Sequence, residues 1–305
     1  MKVVVAGGTG YIGSALLQAL HQAGHETVVL TRRPPQAVSG LPTSAHAVRW
    51  DAATPDGRLA AALEGAGAVV NLAGASIGAW PWTQARRNEI LESRVRATRA
   101  LVSSLGALGE PRPALVNASG IDYYGDRGEE TVDEESGPGT SFLAQVCTRW
   151  EETARGAERS GCRVVLVRTG LVLSRDSPTL RLLALPFRFF AGGPAGSGRQ
   201  WVSWVHLDDV VGLYLLAVED ATLSGPMNAV APDPRRNAEL AAELGRTLGR
   251  PSWLPVPAPA LRLVLGEQAD LLLHGRRAEP RVALAHGYAF RRPSLPDALR
   301  ASLTG

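Results

Sequence analysis

Lysine is nearly absent: the chain carries a single one, Lys2, against 32 basic residues in total. It stands at the head of the first predicted strand, so no lysine is available for proton transfer or cofactor anchoring elsewhere. Cysteine is scarce as well. Cys147 and Cys162 are the only two, without C-x-x-C spacing, and the six histidines are scattered, which excludes a disulfide scaffold and a clustered metal site. No run of about 18 apolar residues occurs, and the first strand begins at residue 2, so neither a membrane span nor a signal peptide is expected and the predicted location is cytoplasmic. The net charge of +3 is spread along the chain as arginine, with no basic tract and no aromatic stripe, which argues against nucleic acid and for a small-molecule partner.

What is present is concentrated at the start. In MKVVVAGGTGYIG, Gly7, Gly10 and Gly13 follow a β-branched run at three-residue spacing. A buried strand, Val3 to Ala6, leads into a tight turn in which Gly7 supplies unusual dihedrals, Gly10 admits a pyrophosphate to the main chain, and Gly13 lets the next helix pack close. That helix carries Ile12, Leu16, Leu17 and Leu20 on one face, and its free N–H groups, from Thr9 through Tyr11 and Ile12, point a positive dipole end at phosphates. A second strand, Glu26 to Leu30, completes the motif.

The end of that second strand selects the dinucleotide. A carboxylate there would accept from a ribose 2′-OH and repel a 2′-phosphate, whereas this chain reads Thr31-Arg32-Arg33. Guanidinium forks suit a phosphate, so NADP(H) is expected over NAD(H). Asp51, closing the next strand, is read either as an acceptor for the adenine amino group or as a helix N-cap.

With 305 residues, 45% of them hydrophobic, the chain is long enough for one nucleotide-binding domain and a smaller appendage. Strands are predicted at 68–73, 114–119 and 163–168, with helices at 84–105 and 142–159. Alternation of this kind predicts a doubly wound parallel sheet, an α/β Rossmann fold. Residues 1–170 are assigned to it, with return elements at 205–230. Residues 171–204 and 231–305 form the expected substrate side, including a small C-terminal domain from about residue 251 whose Leu261, Leu265, Leu272 and Leu273 suit one helix face over a local core.

The segments MKVVVAGGTGYIG, VVNLAGASI, SRVRATRALV, YYGDRG, WVHLDD and NAVAPDP together resemble the extended short-chain dehydrogenase/reductases. FLAQVCTRWEETA, LPFRFFAGGPAGSGRQWVSW and the leucine-rich tail resemble an atypical epimerase-family sub-branch with a C-terminal domain of unknown function. The resemblance implies an NADP(H)-binding Rossmann domain, a smaller substrate domain, and an oxidoreductase or epimerase. Relatives in that superfamily are often homodimers, and the sequence does not show which helix faces would pair. It further implies backbone contacts to the cofactor from Leu72, Ala73 and Gly74, and a phosphate contact from Arg94. His206, in WVHLDD, is read as a packed histidine beside an acidic helix cap.

One departure from the family pattern bears on chemistry. The superfamily uses a tyrosine as general acid/base and a lysine four residues on. Counting back from Glu151 places Leu143 and Cys147 at those positions, and neither side chain replaces the lost function. Counting back from Tyr124 puts Gly120 at the usual hydroxyl position, with Ser119 its neighbour. Tyr123 and Tyr124, with Ser119, are therefore the candidate catalytic residues, and Arg127 is the candidate charge beside Tyr123. Arg199, Gln200 and Trp201, after the glycine-rich loop, are the candidate substrate contacts, while Trp204 is assigned to the core. Two readings follow: an NADP(H)-dependent enzyme acting on a small carbonyl or alcohol, or a cofactor-sensing regulator that has lost catalysis. A nucleotide-sugar epimerase holding NAD is a third, against which Arg32 and Arg33 argue.

Overall fold

The computed structural model describes residues 1–304. The strands are β1 (Lys2–Ala6), β2 (Glu26–Thr31), β3 (Ala45–Arg49), β4 (Ala68–Asn71), β5 (Ala114–Gly120), β6 (Thr131–Val132), β7 (Val164–Thr169), β8 (Leu171–Leu173), β9 (Trp201–Val202), β10 (Trp204–His206), β11 (Gly225–Ala229), β12 (Arg235–Arg236) and β13 (Arg277–Ala278), and the apolar runs of β1, β2, β4, β5 and β7 form because they are buried on both faces. Between them lie α1 (Tyr11–Gln22), α2 (Gly57–Leu63), α3 (Gln84–Gly106), α4 (Phe142–Arg155), α5 (Pro178–Arg188), α6 (Leu207–Glu219), α7 (Asn237–Leu248), α8 (Ala258–Leu265), α9 (Asp270–Leu273), α10 (Arg281–Ala285) and α11 (Leu295–Leu303). No helix among the described residues is long and apolar enough to cross a membrane.

Seven strands form one sheet in the order β11-β7-β5-β4-β1-β2-β3, every pair parallel. The order reverses between β1 and β4, and a ligand crevice opens outside the carboxyl ends of the strands at such a switch point. Register places Ala6 beside both Leu30 and Asn71, so the chain leaves β1 directly against the residues that follow β4. Two cores flank the sheet. Leu16, Leu17, Leu20, Val210, Leu213 and Tyr214 cover one face from α1 and α6. Leu59, Leu63, Leu101, Leu105 and Ala154 cover the other from α2, α3 and α4.

A third cluster lies beyond the sheet, where Leu173, Leu180, Phe187, Trp204, Leu240, Leu244, Leu295 and Leu299 pack together. It corrects the expectation of a local leucine core in the C-terminal segment. Gly266, at φ +59°, breaks the anticipated helix, and α8 buries none of its residues; Leu263 is 88% exposed. The C-terminal part joins the rest through α11 and through β13 on β6 instead. The anticipated helix at 142–159 also ends early, passing at Gly156 into a 3₁₀ turn that closes on Gly161 in the left-handed region.

Candidate functional site

Close backbone approach governs the glycine turn. Gly7 has φ +81°, and a Cβ there would lie 2.8 Å from the Leu72 carbonyl. A Cβ on Gly13 would lie 2.4 Å from the Gly7 oxygen and 2.7 Å from Gly8 Cα, so only glycine lets α1 begin this near β1. Gly10 caps α1 without a side-chain acceptor, and the first turn holds no acid, which leaves its N–H groups for an anion. Thr9 is exposed on this turn and Ile12 packs into the core below it. Tyr11 reaches across to the segment after β8, its hydroxyl 2.6 Å from Ser174 Oγ. Leu72 and Ala73 border the turn through their main chain, the Ala73 N–H donating to Asn71 Oδ1.

Beside this turn an open cleft of about 470 Å³ is lined by Arg32, Arg49, Trp50, Asp51, Asp56 and Arg58. Arg33 does not line it. Its N–H returns to Thr31 Oγ1 and its side chain is exposed, so Arg49 and Arg58 accompany Arg32 in place of the anticipated pair. Neither residue was identified from the sequence; both approach through β3 pairing beside β2 and through α2. The Asp51 carboxylate accepts from the N–H groups of Ala53 and Thr54 and from the Thr54 hydroxyl, bonds that hold its pKa below the usual range. It closes a turn, and the cap of α2 is Asp56, which accepts from Leu59 N. Both carboxylates accept backbone N–H bonds, and against them the three guanidiniums leave the lining with a net positive charge.

At the carboxyl end of β5 the chemistry changes. The Ser119 hydroxyl donates to Glu151 Oε1 at 2.7 Å, and Arg168 holds the same carboxylate with two bonds of 2.8 Å. Arg168 and Glu151 are 2% and 3% exposed, making this a buried bidentate ion pair. Arg168 also donates to the Tyr124 hydroxyl at 3.0 Å, which in turn donates to Asn228 Oδ1 at 2.7 Å. Tyr124 is 0% exposed, and burial pushes its phenol up to about 12. This corrects its candidacy: the hydroxyl is locked inside the protein. Glu134 sits alongside, its Oε1 accepting from Asn228 N and Val282 N while Oε2 is buried without a partner.

Tyr123, the neighbour of Tyr124 on the same turn, is half-buried. Its ring lies on the Arg168 guanidinium at 3.5 Å and edge-on to Tyr124, and its hydroxyl makes no hydrogen bond among the described residues. Arg127 is not the charge beside it, since that side chain donates to the Tyr124 and Gly137 carbonyls and pairs with Glu130. Arg168 fills that place. The sequence signal was a charged residue inside the otherwise apolar strand VVLVRT. Asp122, next to Tyr123, pairs at 2.6 Å with Arg276 from the C-terminal part. Leu143 and Cys147 are buried on α4, and burial raises the Cys147 thiol to about 12, so it is not a base.

The candidate substrate contacts are placed elsewhere. Gln200 braces the glycine-rich loop by donating to the Ala195 and Leu272 carbonyls, and Trp201 lies between Arg236 and Arg277. Arg199 is exposed and its carbonyl accepts from Arg236. None of the three bonds to Ser119, Tyr123 or Tyr124. Trp204 is fully buried, as expected of a core residue. His206 itself caps α6, accepting from Asp208 N, and burial lowers its pKa. The cap is thus not the expected acidic residue, and Asp209 in the first turn accepts from the N–H groups of Arg291 and Arg292.

Fold, glycine turn and arginine cleft define a dinucleotide-binding α/β protein. Residues 3–229 match the NAD dependent epimerase/dehydratase family, and residues 256–302 match a domain of unknown function, DUF1731. The chain belongs to that epimerase/dehydratase family. It is 40% identical to the epimerase family protein SDR39U1 homolog, chloroplastic, of Arabidopsis thaliana, over 99% of this chain and 86% of that one. A crystal structure of human epimerase family protein SDR39U1 (isoform 2) with NADPH superposes with a TM-score of 0.87 at 36% identity, covering 98% of each chain. A nucleoside-diphosphate sugar epimerase from Corynebacterium glutamicum gives 0.79 at 32% identity, over 99% of this chain and 58% of that one.

Proposed function

We propose that the chain is an NADP(H)-dependent oxidoreductase or epimerase-type enzyme acting on a small carbonyl or alcohol at the carboxyl edge of the sheet. The observation that carries this reading is the Arg32, Arg49 and Arg58 cleft beside the glycine turn, built for a phosphate on the adenosine ribose. The human relative crystallised with NADPH supports it. When bound, the cofactor supplies or accepts a hydride at its nicotinamide ring. The N–H groups opening α1 hold the pyrophosphate and the three arginines neutralise the 2′-phosphate. Tyr123 exchanges a proton with the substrate oxygen through its free hydroxyl, while Arg168 beneath the ring and the Asp122–Arg276 pair beside it fix its position. Stopped-flow absorbance at the reduced-nicotinamide band, with NADPH and a panel of carbonyl compounds, tests this: turnover lost in Tyr123→Phe but not in Arg199→Ala is the expected result.

A second reading is favoured by Leu143 and Cys147. With both buried and the thiol held protonated, the usual proton relay is absent from α4. The chain is then a cofactor-sensing regulator, in which NADPH binds without turnover and alters assembly. Light scattering with and without NADPH distinguishes the two.

A further inference from the structure

α5 is apolar on its outer side as well as on the side that packs. Leu180 and Phe187 enter the third core, whereas Leu182, Leu185 and Phe189 follow the outer face at helical spacing, with Leu182 68% and Phe189 73% exposed. A helix that is apolar all round is ordinarily covered. The stripe continues into the next loop, where Phe190 adopts φ +58°, a left-handed conformation costly for a bulky side chain, and its ring stays exposed. Trp253, 65% exposed, donates from Nε1 to the Phe190 carbonyl at 3.0 Å. The N–H groups of Trp253 and Leu254 both donate to the Gly192 carbonyl, which holds the two segments side by side.

Charge identifies what covers this face. No Asp or Glu occurs from Ser177 to Leu207 or from Leu244 to Gly266, although the chain carries 29 of them, while Arg181, Arg188, Arg199, Arg246, Arg250 and Arg262 all fall there. Of the four acids that bound these segments, Asp176, Glu243 and Glu267 are each paired with an arginine. Arg188 is exposed and its side chain makes no hydrogen bond or ion pair among the described residues, and the Arg250 guanidinium lies over the Phe190 ring at 4.6 Å. A second copy docked here about a twofold axis would set arginine against arginine. A bilayer with anionic headgroups meets both halves of the face: its phosphates take the guanidiniums, and its acyl boundary takes the leucine and aromatic side chains. We propose that the outer face of α5, with residues 189–190 and 253–254, docks on a membrane surface bearing anionic phospholipid. Such docking lies in the plane of the interface and needs no spanning helix.

The test is flotation of the full chain with vesicles of phosphatidylcholine alone and of phosphatidylcholine with an equal part of phosphatidylglycerol. The chain is expected to float with the mixed vesicles, to ignore the neutral ones, and to be released as salt rises. Leu185→Ser/Phe189→Ser is expected to lower the partition coefficient about tenfold with an unchanged circular dichroism melt, because both side chains lie outside the core. Arg188→Gln is expected to lower it about fivefold, and Arg149→Gln, an equal loss of charge from the exposed side of α4, to leave it within about twofold. Where the serine variant fails to fold, Leu182→Glu replaces it, and a carboxylate in the stripe is expected to abolish flotation. Absence from the mixed vesicles, flotation that survives the stripe variants, or equal loss in Arg188→Gln and Arg149→Gln overturns the proposal. A dimer seen by light scattering and broken by the serine variant also overturns it, since a second copy then covers the face.

Discussion

The two ends of the carboxyl edge use arginine in opposite ways. At β2 and β3, Arg32, Arg49 and Arg58 line an open cleft whose carboxylates are engaged by backbone N–H groups, so positive charge is left over for a ligand. At β5 and β7, Arg168 is enclosed and fully committed to Glu151 and Tyr124, so the charge serves the fold and holds the ring of Tyr123. One end leaves its arginines open to the solvent, and the other spends its arginine on holding the Tyr123–Tyr124 turn in place. Substitutions at the first should therefore move affinity and leave stability alone, and at the second the reverse.

The strongest way to break that contrast is Arg168→Met. It leaves the Glu151 carboxylate buried with the Ser119 hydroxyl as its remaining side-chain donor, and removing one partner of a buried pair destabilises by about 3–5 kcal/mol. Urea unfolding followed by circular dichroism is expected to show that loss, with most of it recovered in the double variant Arg168→Met/Glu151→Met. A change under about 1 kcal/mol would mean that the pair is no better than a surface salt bridge, and the distinction between the two ends would fail.

Arg32→Ala tests the other end. Loss of a charge-assisted contact to a phosphate removes about 1.5–3 kcal/mol, or roughly tenfold to a hundredfold in NADPH affinity, with NADH binding unchanged. Its unfolding midpoint should match that of the unaltered protein, because Arg32 is exposed and makes no hydrogen bond or ion pair through its side chain among the described residues. An equal loss for NADH would place Arg32 outside the 2′-phosphate site.

The same contrast explains what was legible in the sequence. Gly7, Gly10, Gly13 and Arg32 lie within one βαβ unit, where strand, turn and helix follow each other and local pattern suffices. Arg49 and Arg58 escaped notice because they arrive from the next strand and helix. The network around Tyr123 joins Ser119, Glu134, Glu151, Arg168, Asn228 and Arg276, residues far apart in the chain that only sheet order and the return of the C-terminal part bring together. Tyr123 and Tyr124 are adjacent and equivalent by residue type; a 3₁₀ turn leaves one half-buried and sends the other inward. In the tail, Gly266 at positive φ cut a leucine pattern that periodicity alone reads as continuous.

Glu134→Gln gives the smallest effect and the finest test of the buried end. Burial raises the Glu134 pKa, Oε2 lacks a donor, and Asp133 adds repulsion. The folded state therefore holds this proton more tightly than the unfolded chain. Between the ordinary glutamate value and the raised one, unfolding releases the proton, so this residue's contribution to stability is full below that window and falls as pH rises through it. Carboxylates with lowered values, such as Asp133 through Arg281, impose the opposite slope on the whole protein. The quantity to follow is thus the difference in unfolding free energy between Glu134→Gln and the unaltered chain. Glutamine keeps the acceptor that receives Asn228 N and Val282 N but cannot ionise. The difference should lie near zero at acid pH and turn in favour of glutamine as pH rises toward neutrality. A difference independent of pH would show that water or Arg168 reaches Oε2 in solution, and the buried end would then be more open than the arginine pairing implies.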